Sequence, residues 1–481
     1  MAALAQAALR LTALLLSVVS GIIIARKLPP SGYAAYQAAM KRASLIASLP
    51  LILVGFWGYR YIAAGRRGSL RASIILSLVA GAAAALVAAW LVLFLGGGPL
   101  LAVVAAAAIL VYSVYDGAGR ALAAARSVYV EASRLVYRIV YAALVVLLVY
   151  AASMGAVGAA TAALLGAGLG LLYLLRGARG LLGGGGGCLR CIGEWLRGSW
   201  IPVMYWLTSL LLGLDVVVAG AILGSEAVAA FFAAAVIASM SMEAALAAAV
   251  HVQAHVLRTG DTASGYSVAC LLALLSAPLY AYMAARPEQV VALMNPRYVY
   301  ASGCLIAYSA ASYTAILYTA IQQVVQGTDT SPASKPGPVL RLVAAWSLAG
   351  SAAYIGLLAA VLLALHGSPI GVSLTAWGVC LLLGRLIQLI GVSRVAAANG
   401  APVPGSLAIR AALYPLLALP AALLLAPRGY AERFLADALL AAKGLAVTAA
   451  AYAALVLLLD PWARGLAGRG LSRLKALHIW K

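Results

Sequence analysis

The stretch GIIIARKLPPSGYAAYQAA, residues 21–39, recurs in outline as DVVVAGAILGSEAVAAFFAAA, residues 215–235. Each copy is a β-branched apolar run, an alanine, a turn after a leucine, small residues around an aromatic, and then alanines. Ala25 falls on Ala219 at an offset of 194, and Tyr36 falls on Phe231 at 195, so one inserted residue aligns the two. Six expected membrane spans separate the copies. Six is even, so both copies cross the membrane in the same direction. This predicts two parallel six-helix lobes related by an axis along the membrane normal.

The composition around the repeat fixes the class. Of 481 residues, 65% are hydrophobic and 9% charged, with a mean hydropathy of +1.03. A soluble globular chain does not have that balance. In lipid each backbone polar group needs a partner within the protein, so spanning units are helices or closed barrels. A barrel would show short alternating strands, whereas these runs are long and rich in Leu, Ala and Val. Apolar runs lie at about 4–25, 43–64, 72–95, 99–118, 134–153, 155–175, 201–222, 227–250, 265–285, 298–321, 341–365, 370–393, 407–426 and 436–459. Turn signals such as Pro29-Pro30-Ser31-Gly32, Gly367-Ser368-Pro369 and Ala426-Pro427 punctuate them.

The expected fold is all-α and polytopic, with about 14 transmembrane helices in two parallel six-helix lobes plus two C-terminal helices. The least hydrophobic stretch, Arg176 to Trp200, contains Gly183 to Gly187 and reads as a flexible linker. The expected organisation is an N-lobe over 1–180, a Gly-rich cytoplasmic linker over 181–198, a C-lobe over 199–396, and two further helices with a basic tail over 397–481.

A formal net charge of +21 could suggest nucleic acid, but the chain has no soluble basic domain to bind it. The basic residues lie mostly in short loops. Counting Lys and Arg places both termini in the cytoplasm of a multi-pass cell-membrane protein. The first outer loop, with Arg26, Lys27, Lys41 and Arg42, breaks that trend. Cys188 and Cys191 form a single C-x-x-C with no further ligands nearby, and His251 and His255 share a helix face without a third ligand. No metal or other cofactor is expected.

The chain resembles the polysaccharide-biosynthesis, lipid-linked-oligosaccharide flippase family. That family lies within the multidrug/oligosaccharidyl-lipid/polysaccharide exporter superfamily. The resemblance rests on residues 21–28 with Gly32, Tyr33 and Tyr36. It also rests on Leu214-Asp215 followed by Gly220 and Leu223 to Glu226, on Ala292 to Tyr298, and on Gln326-Gly327-Thr328. Pro29 departs from the family, which typically has Gly there. The resemblance spreads over about residues 4–330. It implies alternating access: the sugar-phosphate head of a polyprenyl-linked oligosaccharide crosses inside the protein while the tail stays in lipid. The expected partners are that lipid-linked sugar, membrane lipids and Na⁺ or H⁺ as a coupling ion, acting on a monomer.

A diphosphate head calls for cations in a water-filled lumen, and the planar fork of Arg suits phosphate oxygens. The candidate substrate-binding residues are Arg26, which matches the family's arginine, and Arg10, Arg42, Arg60 and Arg385. Arg10 and Arg26 are about 24 Å apart along a helix, near opposite ends, where snorkelling to the interface is the plainer use. Arg385 has Gln388 one turn on, which fits either a lumen or a structural pair. Arg134 and Arg138 read as interface anchors, and the 24 tyrosines as interfacial belts. Asp215 and Glu243 are the candidate coupling-ion residues, since intramembrane carboxylates often carry protons or cations; a structural pair with Arg is the alternative.

Two other functions compete. A cation-coupled multidrug or toxin extruder of the same superfamily would share the fold and differ in its lumen. The first three spans hold no acid, which favours an anionic substrate over a cationic drug. A polytopic glycosyltransferase would need an acid in a sizeable outer loop, whereas the outer loops are short and the first of them is basic and holds no Asp or Glu. The expectation is a transporter and no enzymatic activity.

Overall fold

The computed structural model of the chain describes residues 2–28, 33, 36, 54–63, 68–94, 98–182, 188–329, 331, 337–431 and 433–468. The first lobe starts with α1 (Ala2–Lys27). The second span is described from a π-helical turn, Val54–Gly58, into α2 (Tyr59–Ala63). Next come α3 (Ser69–Phe94), α4 (Pro99–Leu144) with a π-helical extension Val145–Ala151, and α5 (Gly155–Leu182). A short α6 (Cys188–Arg197) leads into the second lobe, α7 (Trp200–Leu223), α8 (Ser225–Thr259) and α9 (Thr262–Ala285). It continues with α10 (Pro287–Met294), a 3₁₀ turn Pro296–Ala301, α11 (Ser302–Gly327), α12 (Pro338–Ala364) and α13 (Ile370–Ala398). Last are α14 (Gly405–Leu425) and α15 (Phe434–Leu459).

Among the described residues, eleven helical segments are long and apolar enough to cross a membrane. They coincide with eleven of the fourteen expected spans. The other three expectations, 4–25, 43–64 and 227–250, contain residues or side chains outside the description. No strand occurs among the described residues.

Local signals set the ends. Pro99 and Pro338 open α4 and α12, where a missing N–H costs nothing. The Asp261 carboxylate accepts from the Ser264 amide at 3.0 Å and caps α9, one residue after Gly260 closes α8 at φ +70°. Two expected spans, the fourth and fifth, are one run of helix with a break at Arg126 (φ −140°, ψ 58°). The Arg126 guanidinium donates to the Gly177 carbonyl of α5 at 2.5 Å and holds the bend. The expected flexible linker is also largely helical. Residues 176–182 complete α5, and α6 packs on the first lobe with Trp195 fully buried against Tyr61 and Gly58. Cys191, of the C-x-x-C pair, is buried on that helix beside Ser69.

The two lobes repeat one packing plan. In the first, α1 packs on the second half of α4, α2 and α3 pack on its first half, and α5 packs on both. In the second, α7 packs on α12, α8 and α9 on α11, and α13 on both α11 and α12. These are the same partners in the same order, as two parallel six-helix lobes require. The α14–α15 pair packs on α9.

Small residues make the contacts. On α3, Ala80, Ala84 and Ala88 recur one turn apart and are buried, whereas Leu78, Val79, Leu86 and Trp90 point outward. Large apolar side chains facing out and small ones facing in is the pattern of helices that associate in lipid, where close backbone approach replaces the hydrophobic drive.

Candidate functional site

One end of the bundle carries the end of α1 together with α10, the end of α14 and the start of α15; the other carries α6. They are called here the Arg26 end and the linker end.

Asp215 lies on α7 and is buried. One carboxylate oxygen accepts from the Tyr354 hydroxyl of α12 at 2.9 Å, and the other accepts from the Val216 amide at 2.7 Å. The Tyr354 oxygen in turn accepts from the Trp377 indole N–H of α13 at 2.8 Å. The Trp377 ring lies flat on Phe231 of α8, centroids 3.7 Å apart. Four helices of the second lobe therefore meet through one carboxylate, one phenol, one indole and one phenyl ring. The Tyr354 hydroxyl and the Val216 amide each donate to the carboxylate.

Glycine makes the arrangement possible. A Cβ on Gly384 would sit 2.7 Å from the Tyr354 Cβ and 2.9 Å from the Gly350 carbonyl. Only the paired glycines let α12 and α13 come this close, and that approach sets the Tyr354–Trp377 distance.

Arg385 lies about two turns beyond Trp377 toward the linker end and is half-buried. Its guanidinium donates to the Gln388 side-chain carbonyl at 2.9 Å, and the Gln388 amide donates to the Ser347 carbonyl at 2.9 Å and to the Ser351 hydroxyl at 3.1 Å. The Ser347 and Tyr318 hydroxyls are 2.5 Å apart. Gln388, one turn on from Arg385, ties it into the α11–α12–α13 interface.

Arg26 is drawn into a contact between lobes. Its guanidinium donates to the Ala292 carbonyl at 2.9 Å and the Leu293 carbonyl at 3.2 Å, at the last turn of α10. It lies 3.6 Å from the Asp437 carboxylate in the first turn of α15, and 5.2 Å from the Phe434 ring centroid. Asp437 was not singled out in the sequence. The signal for it was modest: an acid among twelve, in the first turn of an expected span. Tyr354 and Trp377 carried no such signal, because a tyrosine or tryptophan in a span reads first as packing.

Arg10, Arg60 and Glu243 are placed on α1, α2 and α8 by their backbone, with side chains outside the described residues, and Arg42 lies wholly outside them. Arg134 pairs with Glu131 at 2.5 Å, and the Arg138 guanidinium lies 4.8 Å from the Tyr137 ring centroid. The tyrosines do more than form belts. Tyr112, Tyr115, Tyr137 and Tyr141 make a ladder with centroids 5.8–6.2 Å apart inside the first lobe. The Tyr141 hydroxyl meets that of Tyr36 at 3.4 Å. Both repeat aromatics are thus buried in their own lobes, Tyr36 against Tyr141 and Phe231 against Trp377.

No protein-family model and no curated protein matches the chain. Solved structures do. A MATE in complex with MaL6 matches at a TM-score of 0.59 with 17% identity, covering 83% of this chain and 97% of that one. An inward-facing multidrug resistance MATE family transporter of the MOP superfamily matches at 0.56 with 18% identity, over 82% and 99%. The bent form of the Vibrio cholerae MATE transporter VcmN matches at 0.55 with 15% identity, over 82% and 96%. The chain has the fold of the MATE transporters of the MOP superfamily.

Proposed function

We propose that this protein is an alternating-access exporter, coupled to a cation through Asp215, whose substrate is an amphipathic solute. The observation that carries the reading is a buried carboxylate on the first helix of the second lobe, held by Tyr354, in a fold whose solved examples are MATE transporters. A carboxylate that can exchange a proton or a sodium ion at such a position links the ion gradient to the lobes, because protonation or cation binding changes what Tyr354 and Asp215 hold between α7 and α12. The fold supports transport rather than catalysis of a covalent step.

The extruder reading gains from the structure in one further way. Arg26, the strongest candidate for a phosphate in the sequence, is engaged by Asp437 and two carbonyls. A second reading, translocation of a polyprenyl-phosphate-linked sugar, is favoured by the acid-free first three spans and the arginines on them.

Reconstitution into liposomes separates the two. Wild type and Asp215→Asn would be assayed for uptake of a cationic dye under a proton or sodium gradient, and for leaflet exchange of a fluorescent short-chain polyprenyl-diphosphate oligosaccharide. Gradient-driven dye transport that loses its ion dependence in Asp215→Asn is the expected result. Leaflet exchange without dye transport would replace the extruder reading with the flippase reading. Transport that keeps its full ion dependence in Asp215→Asn would remove Asp215 from coupling.

A further inference from the structure

The sequence repeat makes Arg26 conspicuous. Its counterpart in the second copy, one residue after Ala219, is Gly220, so the two lobes share the helix ending but not the charge. The charge serves a contact the second lobe has no use for. Arg26 stands at the end of α1, in the first lobe, yet every partner given above lies in the second lobe or the terminal helix pair. Asn295, just after α10, adds a bond of the same kind, its side-chain amide approaching the Ala25 carbonyl at 3.4 Å.

Asp437 is the buried half of the pair, its side chain 1% exposed against 22% for Arg26. One of its oxygens accepts from the Ala431 amide at 2.6 Å and closes the loop before α15. The other receives no hydrogen bond among the described residues and has the Arg26 guanidinium beyond hydrogen-bond length. Arg26 meanwhile gives its N–H groups to the carbonyls that α10 leaves open at its C-terminus, where the helix dipole is negative. The contact is thus a loose charge pair plus two strong donor bonds. Such a pair holds while the ends are together and separates without a covalent or folding event. Once separated, it leaves a buried carboxylate without its cation, which penalises the open state.

We propose that Arg26 and Asp437 form the latch that closes the Arg26 end of the transport path, making the α14–α15 pair a working part of the gate. This rests on the alternating-access reading. Through this contact the end of the first helix of the first lobe engages both α10 and the terminal helix pair. When α1 moves away with the first lobe, Arg26 leaves Asp437 and the α10 carbonyls together, and the end opens.

The test is a distance measurement on full-length protein in nanodiscs. Spin labels at Met154, in the loop before α5, and at His366, between α12 and α13, report separation of the lobes at the Arg26 end. The variants are Asp437→Asn, which keeps the shape and removes the charge, and Asp437→Glu, which keeps the charge. The latch predicts a rise of about tenfold in the open-to-closed ratio for Asp437→Asn, a factor well within what a buried charge contributes to a two-state equilibrium, and a smaller rise for Asp437→Glu. A folded Asp437→Asn protein with the wild-type distance distribution overturns the proposal, as does an Asp437→Glu protein as open as Asp437→Asn. A wild type whose distances ignore saturating dye while Asp437→Asn opens supports the latch and removes the alternating-access reading, so the two failures are distinguishable.

Discussion

Tyr354 shows how one hydroxyl can carry a site. It gives its proton to Asp215 and receives one from Trp377. Tyr354→Phe would leave the carboxylate and the indole N–H without that partner in a buried setting. A loss of about 1–3 kcal/mol is expected, read as a lower melting temperature in detergent. The loss should shrink in an Asp215→Asn background, since the two residues share a contact.

A second carboxylate, Asp460, gives a pH prediction. It follows α15, outside the span, and accepts from Tyr414 at 2.7 Å, Arg410 at 3.1 Å and the Trp462 amide at 3.0 Å. Burial alone would raise its pKa, but the bonds from Tyr414, the Trp462 amide and Arg410 outweigh burial and hold it below the ordinary carboxylate value. A depressed folded pKa contributes stability that is present above the unfolded value, about 3.9, and is lost as pH falls through the folded value. Asp460→Asn should therefore lower the melting temperature at pH 7 and flatten its fall below about pH 4. Equal acid-side slopes in the two proteins would contradict the assignment.

At the scale of elements, helix spacing is the controlled variable. The Gly350–Gly384 approach brings α12 and α13 together beside Tyr354 and Gln388. Gly384→Ala places a methyl against backbone and against the Tyr354 Cβ, which cannot yield as a flexible side chain would. A cost of about 1–3 kcal/mol is expected, with loss of ion coupling out of proportion to loss of folded protein. The measurement is coupled transport normalised to monodisperse protein, and intact coupling in Gly384→Ala would contradict this role.

The positions of the helices were legible in the sequence because lipid forces long apolar runs and loops interrupt them. The joining of the fourth and fifth spans was not. Residues between 118 and 134 are polar enough to read as a loop, and their helical path depends on Arg126 reaching Gly177 across to α5. The amphipathic α6 was masked in the same way by the glycines before it. At the site, Asp215 stood out as a rare acid in a span, whereas Tyr354 and Trp377 are ordinary span residues until three helices are brought together. The partner of Arg26 was invisible for the same reason, since nothing local to either residue names the other.

For the whole molecule, the repeated packing plan means that each lobe closes on itself through its own fourth, fifth and sixth helices. Among the described residues, contacts between the lobes include α1 with α8 and α10 at the Arg26 end and Phe56 with Tyr205 of α7 at the linker end. A molecule built from two bodies that each close on themselves can rock without unfolding either. The direct test uses two label pairs on one protein. Met154 and His366 report the Arg26 end, while Arg179, at the end of α5, and Asn399, after α13, report the linker end; all four are exposed. Distances are taken with and without dye under the ion gradient. Alternating access predicts opposite changes, one end closing as the other opens. Two ends that move together, or neither moving while transport proceeds, would contradict it.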